Sequence, residues 1–214
     1  MISPLFKNIS PSDLPHLLKC LNSYEKIFHK NETIFLQGTS IHHIGLVLEG
    51  EVCIIKDDYW GNHTIISHLL PGEIFGEAYA CIPNALLDVS VEAAKTCRIL
   101  FLDVQDILHA CKHGCHFHHQ LIQNLLAIVS YKNLTLNQKI DHVTKHSLRE
   151  KTLAYLSFQA KQSASSSFDI PYNRQQLADY LCVDRSALSN ELSKLQKEGI
   201  ISFHKNHFTL HIHP

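Results

Sequence analysis

Residues 173–203 read NRQQLADYLCVDRSALSNELSKLQKEGIISF, and this stretch predicts the fold of the C-terminal part of the chain. Asn173 and Asp184 each predict a helix start, because their side chains accept hydrogen bonds from the N–H groups of a first helical turn. Two short helices joined by a tight turn are typical of a helix-turn-helix, although Cys182 stands where a glycine is usual. Apolar residues at helical spacing would face inward: Leu177, Ala178, Leu181, Leu188, Leu192 and Leu195.

The second predicted helix carries a polar outer face. Arginine can bind guanine with two hydrogen bonds and asparagine can bind adenine, each giving about 1–3 kcal/mol of discrimination against a wrong base. A helical hairpin that only packs is the alternative, and an outward Arg/Ser/Asn face argues against it. The expected DNA-binding residues on this outer face are Arg185, Ser186, Ser189, Asn190 and Lys194. Among the basic residues, Lys194, Arg174 and Lys205 are the expected phosphate contacts.

The segment after this helix predicts a two-stranded wing. Ile200–Phe203 is followed by a polar tip at Lys205–Asn206 and a returning FTLHI. Residues 142–214 carry 9 Lys/Arg against 6 Asp/Glu, whereas residues 1–141 carry 10 against 14. A polyanion would therefore bind the C-terminal part, and double-stranded DNA is the expected partner.

The longest helical pattern in the chain lies upstream, at residues 116–140. It contains no Pro or Gly and would be about 37 Å long, longer than one small barrel is wide. Such a helix favours pairing with a second copy in a homodimer, and packing wholly on its own barrel is the alternative. The apolar residues that indicate pairing are Ile122, Val129, Leu136 and Val143 at seven-residue steps, with Leu125, Leu126 and Ile140 beside them.

Eight short strand-like runs fill residues 24–103, with glycines mostly at the breaks. This spacing favours a jelly-roll or small barrel over a parallel α/β sheet. Short helices are expected at 10–22, 104–112 and 147–161. The predicted fold class is α+β: an N-terminal jelly-roll β-barrel domain (1–115), a long dimerisation helix (116–141) and a C-terminal winged helix-turn-helix domain (142–214).

The order of these parts resembles the cyclic-AMP receptor protein/FNR family of bacterial transcription regulators. The most specific pieces are LVLEGEVCII, PGEIFGEAYAC and LADYLCVDRSALSNELSKLQKEGII. The resemblance implies a homodimer that reads an inverted-repeat operator, an effector that repositions the DNA-binding domains, and RNA polymerase as a partner of an activator. It aligns Arg185 with the family's conserved recognition arginine, while Ser186 and Asn190 replace a Glu and a later Arg.

The effector does not carry over from the resemblance. Cyclic-nucleotide binders in the family follow the Gly-Glu turn with an Arg-Ser pair, and the ungapped equivalents here are Leu87 and Asp88. A phosphate facing Asp88 would be poorly paired, so we expect no cyclic-AMP binding. The iron–sulfur branch needs several N-terminal cysteines, and only Cys20 is present there. An unidentified small molecule near Glu77, Tyr79 and Asp88 is the remaining expectation.

Residues 109–119 read HACKHGCHFHH and form a separate hypothesis. Thiolates and imidazoles are zinc ligands, so a metal- or redox-sensing site is one interpretation. A helix start with polar histidines is the simpler one, since C-x3-C is not a typical zinc-ribbon spacing. The candidate ligands are Cys111, Cys115, His113, His118 and His119.

Other function classes find little support in the sequence. A cupin-like metalloenzyme would need histidines on one face of a strand, whereas the adjacent His42 and His43 would point to opposite faces. No nucleophilic triad or phosphate loop stands out, so no enzyme activity is expected. MISPLFKNIS lacks the features of a signal peptide, and no apolar run reaches membrane-spanning length, which predicts a cytoplasmic protein without membrane contact.

Overall fold

The structure is a computed structural model that describes residues 3–60, 63–108 and 116–211, without the side chains of His63 and His116. The chain divides into two units, Met1–Tyr131 and Lys132–Pro214. Within the described residues, no helix is long and apolar enough to cross a membrane.

The first unit contains two four-stranded antiparallel sheets. The strand order is β1-β8-β3-β6 in one sheet and β2-β7-β4-β5 in the other, which is the arrangement of a jelly roll. The predicted jelly-roll is therefore confirmed. Its strands are β1 (Tyr24–Phe28), β2 (Thr33–Phe35), β3 (His43–Glu49), β4 (Val52–Asp57), β5 (His63–Leu69), β6 (Ile74–Phe75), β7 (Ser90–Ala93) and β8 (Cys97–Asp103).

Apolar side chains from the two sheets meet in one core, and a second core lies under the helices. Gly45 on β3 is required by this packing, because a Cβ atom there would lie 2.1 Å from the Phe75 ring. The helices of this unit are a 3₁₀ helix (Pro4–Phe6), α1 (Leu14–Cys20), α2 (Glu77–Ala80), α3 (Val104–Leu108) and the first part of α4 (His116–Val143). Asp13 precedes α1 but makes no side-chain cap hydrogen bond.

The second unit is a winged helix-turn-helix. Helix α5 (Leu148–Ser163) starts with a capping box, in which the Ser147 hydroxyl accepts from the Glu150 N–H and the Glu150 carboxylate accepts from the Ser147 N–H. It extends two residues beyond the predicted end at 161. The remaining elements are β9 (Ser167–Asp169), α6 (Arg174–Leu181), α7 (Arg185–Lys197), β10 (Ile201–His204) and β11 (His207–Leu210).

All six residues predicted to face inward from the two short helices are fully buried: Leu177, Ala178, Leu181, Leu188, Leu192 and Leu195. Phe208 of the wing packs against the same core. The wing is a three-stranded antiparallel sheet in the order β10-β11-β9, one strand more than the predicted hairpin. The core holds α7 by one face, so its opposite face is left to solvent.

Candidate nucleic-acid interface and effector site

The N-terminus of α7 is fixed by Asp184 and by an unusual turn. One carboxylate oxygen of Asp184 accepts hydrogen bonds from the N–H groups of Ser186 (2.8 Å) and Ala187 (3.0 Å). The preceding turn places Cys182 in the left-handed region, with φ 54° and ψ 53°, and its N–H bonds back to α6. A glycine is the common residue for this conformation, which explains why one was expected there.

On the outer face of α7, some side chains extend into solvent and others make hydrogen bonds within the helix. Arg185 and Asn190 are exposed, and within the described residues no carboxylate pairs with Arg185. The Ser186 hydroxyl donates to Asp184 at 2.5 Å, and Ser189 donates to the Arg185 carbonyl at 2.9 Å. The Ser186 hydroxyl is therefore bonded within the helix cap, and its contact with DNA stays a prediction.

The predicted phosphate contacts differ in their surroundings. Lys194 is 68% exposed and lies 3.9 Å from a Glu191 oxygen, so it extends into solvent. Lys205 is exposed at the tip of the wing, as expected. Arg174 instead lies over the Phe203 ring, with its guanidinium carbon 5.1 Å from the centroid, and burial lowers the pKa of Arg174. Arg174 thus joins α6 to the wing rather than standing free on the surface.

One arginine that sequence reasoning missed braces the far end of α7. Arg149 on α5 donates two hydrogen bonds to the Glu198 carboxylate, at 3.1 and 2.5 Å, and lies 3.6 Å from Glu191. The residues are 49 positions apart, so no local pattern could reveal the pair. The contact fixes the C-terminal end of the helix whose N-terminus Asp184 caps.

A buried aromatic cluster lies behind these helices within the second unit. His142, near the end of α4, is 2% exposed and is surrounded by the rings of Tyr155, Phe158 and Tyr180. Its Nδ1 lies 3.0 Å from the Tyr180 hydroxyl oxygen. Burial lowers the pKa of His142 and raises that of Tyr155. The cluster therefore favours a neutral imidazole between α4, α5 and α6.

In the first unit, two of the three expected effector residues come together. The Tyr79 hydroxyl donates to Asp88, whose second oxygen accepts from the Lys56 ammonium at 3.0 Å. These two hydrogen bonds, that of Tyr79 first, hold the pKa of Asp88 below its usual range. Glu77 is buried at the start of α2, and Leu87 is also buried. Lys56 was not predicted, because it is 32 residues from Asp88 in sequence.

The part of α4 beyond the first core presents a row of exposed apolar residues. Val129 and Leu136 are exposed, and Ile122 is half-buried against the core of the first unit. Leu125 is only 5% exposed and lies within that core, which corrects its assignment to a partner-facing position. Leu126, one residue further along, is 65% exposed instead.

Comparison with known proteins identifies a family for the N-terminal domain and another for the C-terminal domain. Residues 25–113 match the cyclic nucleotide-binding domain family, and residues 150–213 match the Crp-like helix-turn-helix domain family. The chain belongs to the Crp/Fnr family of transcription regulators. These matches confirm the predicted family and its class as a family of DNA-binding transcription regulators.

Similar Crp/Fnr proteins cover nearly the whole chain at low identity. The cyclic AMP receptor protein of Thermus thermophilus is 23% identical over 93% of this chain and 88% of its own length. The anaerobic regulatory protein of Haemophilus influenzae is 22% identical over 87% of this chain and 72% of its own. One relative is named for cyclic AMP and the other for anaerobic regulation. Family membership therefore does not identify the effector of this chain.

Solved Crp/Fnr-type structures agree in fold. The Thermus thermophilus catabolite activator protein superposes with a TM-score of 0.58 at 22% identity, covering 97% of this chain and 93% of that one. The regulator CprK, solved as a complex with OCPA, gives a TM-score of 0.65 at 12% identity over 94% of this chain and 91% of that one. At these identities the likeness establishes the fold.

The Cys/His hypothesis falls mostly outside the described residues, where Cys111, His113 and Cys115 lie. His118 is buried and donates from Nε2 to the Asp106 carbonyl at 2.7 Å, which leaves Nδ1 as its acceptor nitrogen. His119 bonds Gln123 at 3.0 Å. Among the residues with described side chains, no group of three or more His, Cys, Asp or Glu could hold a metal ion.

Proposed function

We propose that this Crp/Fnr protein is a homodimeric regulator that reads an inverted-repeat operator through α7. Its N-terminal barrel would sense a small molecule other than cyclic AMP and change the placement of the DNA-binding domains. An activator of this kind would contact RNA polymerase as well as DNA. The proposal rests on the family membership and on the geometry of the two candidate sites.

The observation that carries the proposal is the uncommitted Arg185 at the start of α7. Its helix is held by the core from behind, by Asp184 at the N-terminus and by Arg149 at the C-terminus. A rigid helix with an exposed arginine in its first turn suits the major groove, where base edges distinguish every base pair. Asn190 lies on the same helix and supplies a second group able to read a base.

The proposal excludes cyclic AMP because of the charges at the expected phosphate position. Asp88 already accepts hydrogen bonds from Tyr79 and Lys56, so the Lys56 ammonium beside it is already paired. Leu87, which stands at the other position of the family's Arg-Ser pair, is an apolar residue in the core. An incoming phosphate would meet a carboxylate and would have to separate Lys56 from it.

The experiment is quantitative footprinting of full-length protein on an operator selected from random DNA. The variant Arg185→Ala is expected to lose about 10- to 100-fold in specific affinity, equivalent to one lost bidentate base contact. Its affinity for unrelated DNA should fall far less and keep its salt dependence. Lys30→Ala is the control, because it removes one exposed positive charge from the first unit.

Two outcomes would contradict the proposal. An unchanged footprint for Arg185→Ala, with Lys30→Ala also unchanged, would remove Arg185 from base recognition. Micromolar binding of cyclic AMP by isothermal titration calorimetry would overturn the assignment of a different effector. A footprint without two-fold symmetry would overturn the inverted repeat.

A second proposal for the sensed signal is favoured by His118. This histidine is buried, its tautomer is set by the Asp106 carbonyl, and its Nδ1 has no hydrogen-bond partner among the described residues. An imidazole oriented in this way is typical of metal ligands, and Cys111 and Cys115 are near it in sequence. Elemental analysis of untagged protein, with Cys111→Ser/Cys115→Ser as control, should find about one metal ion per chain only in the unsubstituted protein. Equal metal content in both proteins would refute this role.

A further inference from the structure

We propose that Asn133 sets the register and orientation in which α4 pairs with its copy, an inference that rests on the proposed homodimer. Asn133 is exposed on α4, between Val129 and Leu136. The helix is otherwise apolar along one stripe, and this asparagine interrupts the stripe at its middle.

The stripe follows a heptad repeat. Ile122, Val129, Leu136 and Val143 are seven residues apart and fill one core position of the repeat, the d position. The other core position, a, falls four residues after each of the first three, at Leu126, Asn133 and Ile140. Two of these three a residues are apolar and one is an amide.

The exposure of this stripe indicates that a partner covers it. Leu126 is 65%, Val129 38%, Leu136 58% and Ile140 47% exposed. An exposed row of apolar side chains of this length, broken only by Asn133, is unusual on a protein surface. The heptad spacing is the one at which two helices bury such rows against each other, so a second copy of the same helix is the fitting occupant.

Asn133 distinguishes between the ways in which two such helices could pair. In a parallel pair in register, each Asn133 lies opposite its own counterpart, and the two amides can hydrogen-bond. In a shifted pair, or in an antiparallel pair that is not centred on Asn133, each amide would lie against an apolar side chain and lose its partner on burial, which costs free energy. A single asparagine at an a position selects register and oligomeric state for this reason, at some cost in stability.

The neighbours of Asn133 agree with the parallel arrangement. The Asn137 amide donates to the Asn133 side-chain oxygen at 2.7 Å, which orients the Asn133 amide group and leaves its nitrogen as a donor. In a parallel pair, the flanking Lys132 would lie opposite Asn137 of the copy, so no like charges meet. In an antiparallel pair centred on Asn133, Lys132 would face Lys132.

Mixing experiments with full-length protein test the inference. Wild-type chain and Asn133→Leu, carrying tags of different mass, are exchanged to equilibrium and weighed by native mass spectrometry. A leucine opposite Asn133 leaves one amide buried without a partner, so the mixed dimer is expected at about one tenth of its statistical share. Trimers or tetramers formed by Asn133→Leu alone would support the same role.

Asn137→Leu is the matched control, because it removes a second exposed asparagine one turn away and also the bond to Asn133. Its mixed dimers with wild type are expected at the statistical share. Statistical mixing of Asn133→Leu in a dimeric wild-type background would overturn the register role alone. A wild-type chain that is monomeric both free and on its operator would overturn the homodimer as well, while Arg185-dependent footprinting would still report on DNA reading.

Discussion

The outer face of α7 and the surface around Asp88 differ in whether their charged side chains are paired. On α7, Arg185 is exposed and has no carboxylate partner among the described residues. In the barrel, Asp88 is bonded by Tyr79 and Lys56, so that surface is satisfied internally. The first arrangement offers a cation to a polyanion, whereas the second would have to break an ion pair before accepting a phosphate.

An anion therefore binds more readily to a surface whose cations are not already paired with carboxylates. Both regions carry basic side chains, so charge counts alone would not separate them. The two regions differ in the structure that holds each charged side chain in place. The α7 face is presented by a buried core and the His142 cluster, while the Asp88 group is a surface network that depends on its own members.

The largest effect on the free energy of unfolding is expected for substitutions of His142, whose aromatic cluster packs in the second unit. Since burial lowers the pKa of His142, the folded unit prefers the neutral ring. Its contribution to stability is full above the ordinary histidine pKa of about 6.5 and is lost as the pH falls below that value. The titratable groups near it are Asp141 and Lys145 along its own segment, Tyr155 from α5 and Tyr180 from α6.

Urea unfolding between pH 8 and pH 5 tests this linkage. His142→Ala should cost about 2–4 kcal/mol at pH 8 through the lost ring contacts. His142→Phe retains a ring but cannot titrate, so it should lose less stability than wild type as the pH falls. Parallel pH profiles for wild type and His142→Phe would show that this histidine does not control the acid sensitivity of the unit.

Local periodicity explains how much of the fold could be predicted. The eight strands, the two short helices and their caps at Asn173 and Asp184 all follow from patterns within a few residues. Leu125 shows where such patterns fail. Leu125 and Leu126 both fit an apolar stripe on α4, and only the three-dimensional core determines that the first faces inward and the second outward.

The candidate sites were predicted less completely, because their key contacts join distant residues. Arg185 was found from its place after a helix cap. Lys56 beside Asp88 and Arg149 beside Glu198 could not be found, since each pair is brought together by the tertiary fold. Ser186 was placed on the right face, but its hydroxyl bonds the neighbouring Asp184 instead of projecting freely.

A smaller effect is expected at the turn that aims α7. Cys182 has a positive φ of 54°, which a side chain disfavours and glycine tolerates. Cys182→Gly should therefore stabilise the unit by about 0.5–1 kcal/mol, the relief of strain being partly offset by the greater freedom of glycine in the unfolded chain. Cys182→Ser keeps a side chain at this φ and should not gain stability. Equal urea midpoints for the two variants would argue against strain at this turn.

The smallest effect is expected at Asp88, because its network is exposed. The Tyr79 and Lys56 hydrogen bonds lower the pKa of Asp88, so its contribution to stability is present above the unfolded value of about 3.9 and disappears as the pH falls further. The Asp88 side chain is 58% exposed, and solvent screening should limit the loss in Asp88→Asn to a few tenths of a kcal/mol at pH 7. A double-mutant cycle with Lys56→Met, measured by urea unfolding at pH 7 and pH 3, should give a smaller coupling at the lower pH, because the Asp88 contribution falls as the pH approaches its lowered pKa. An equal coupling at the two pH values would mean that Asp88 is held by packing and not by charge, and the contrast with Arg185 would then rest on shape instead of on occupied cations.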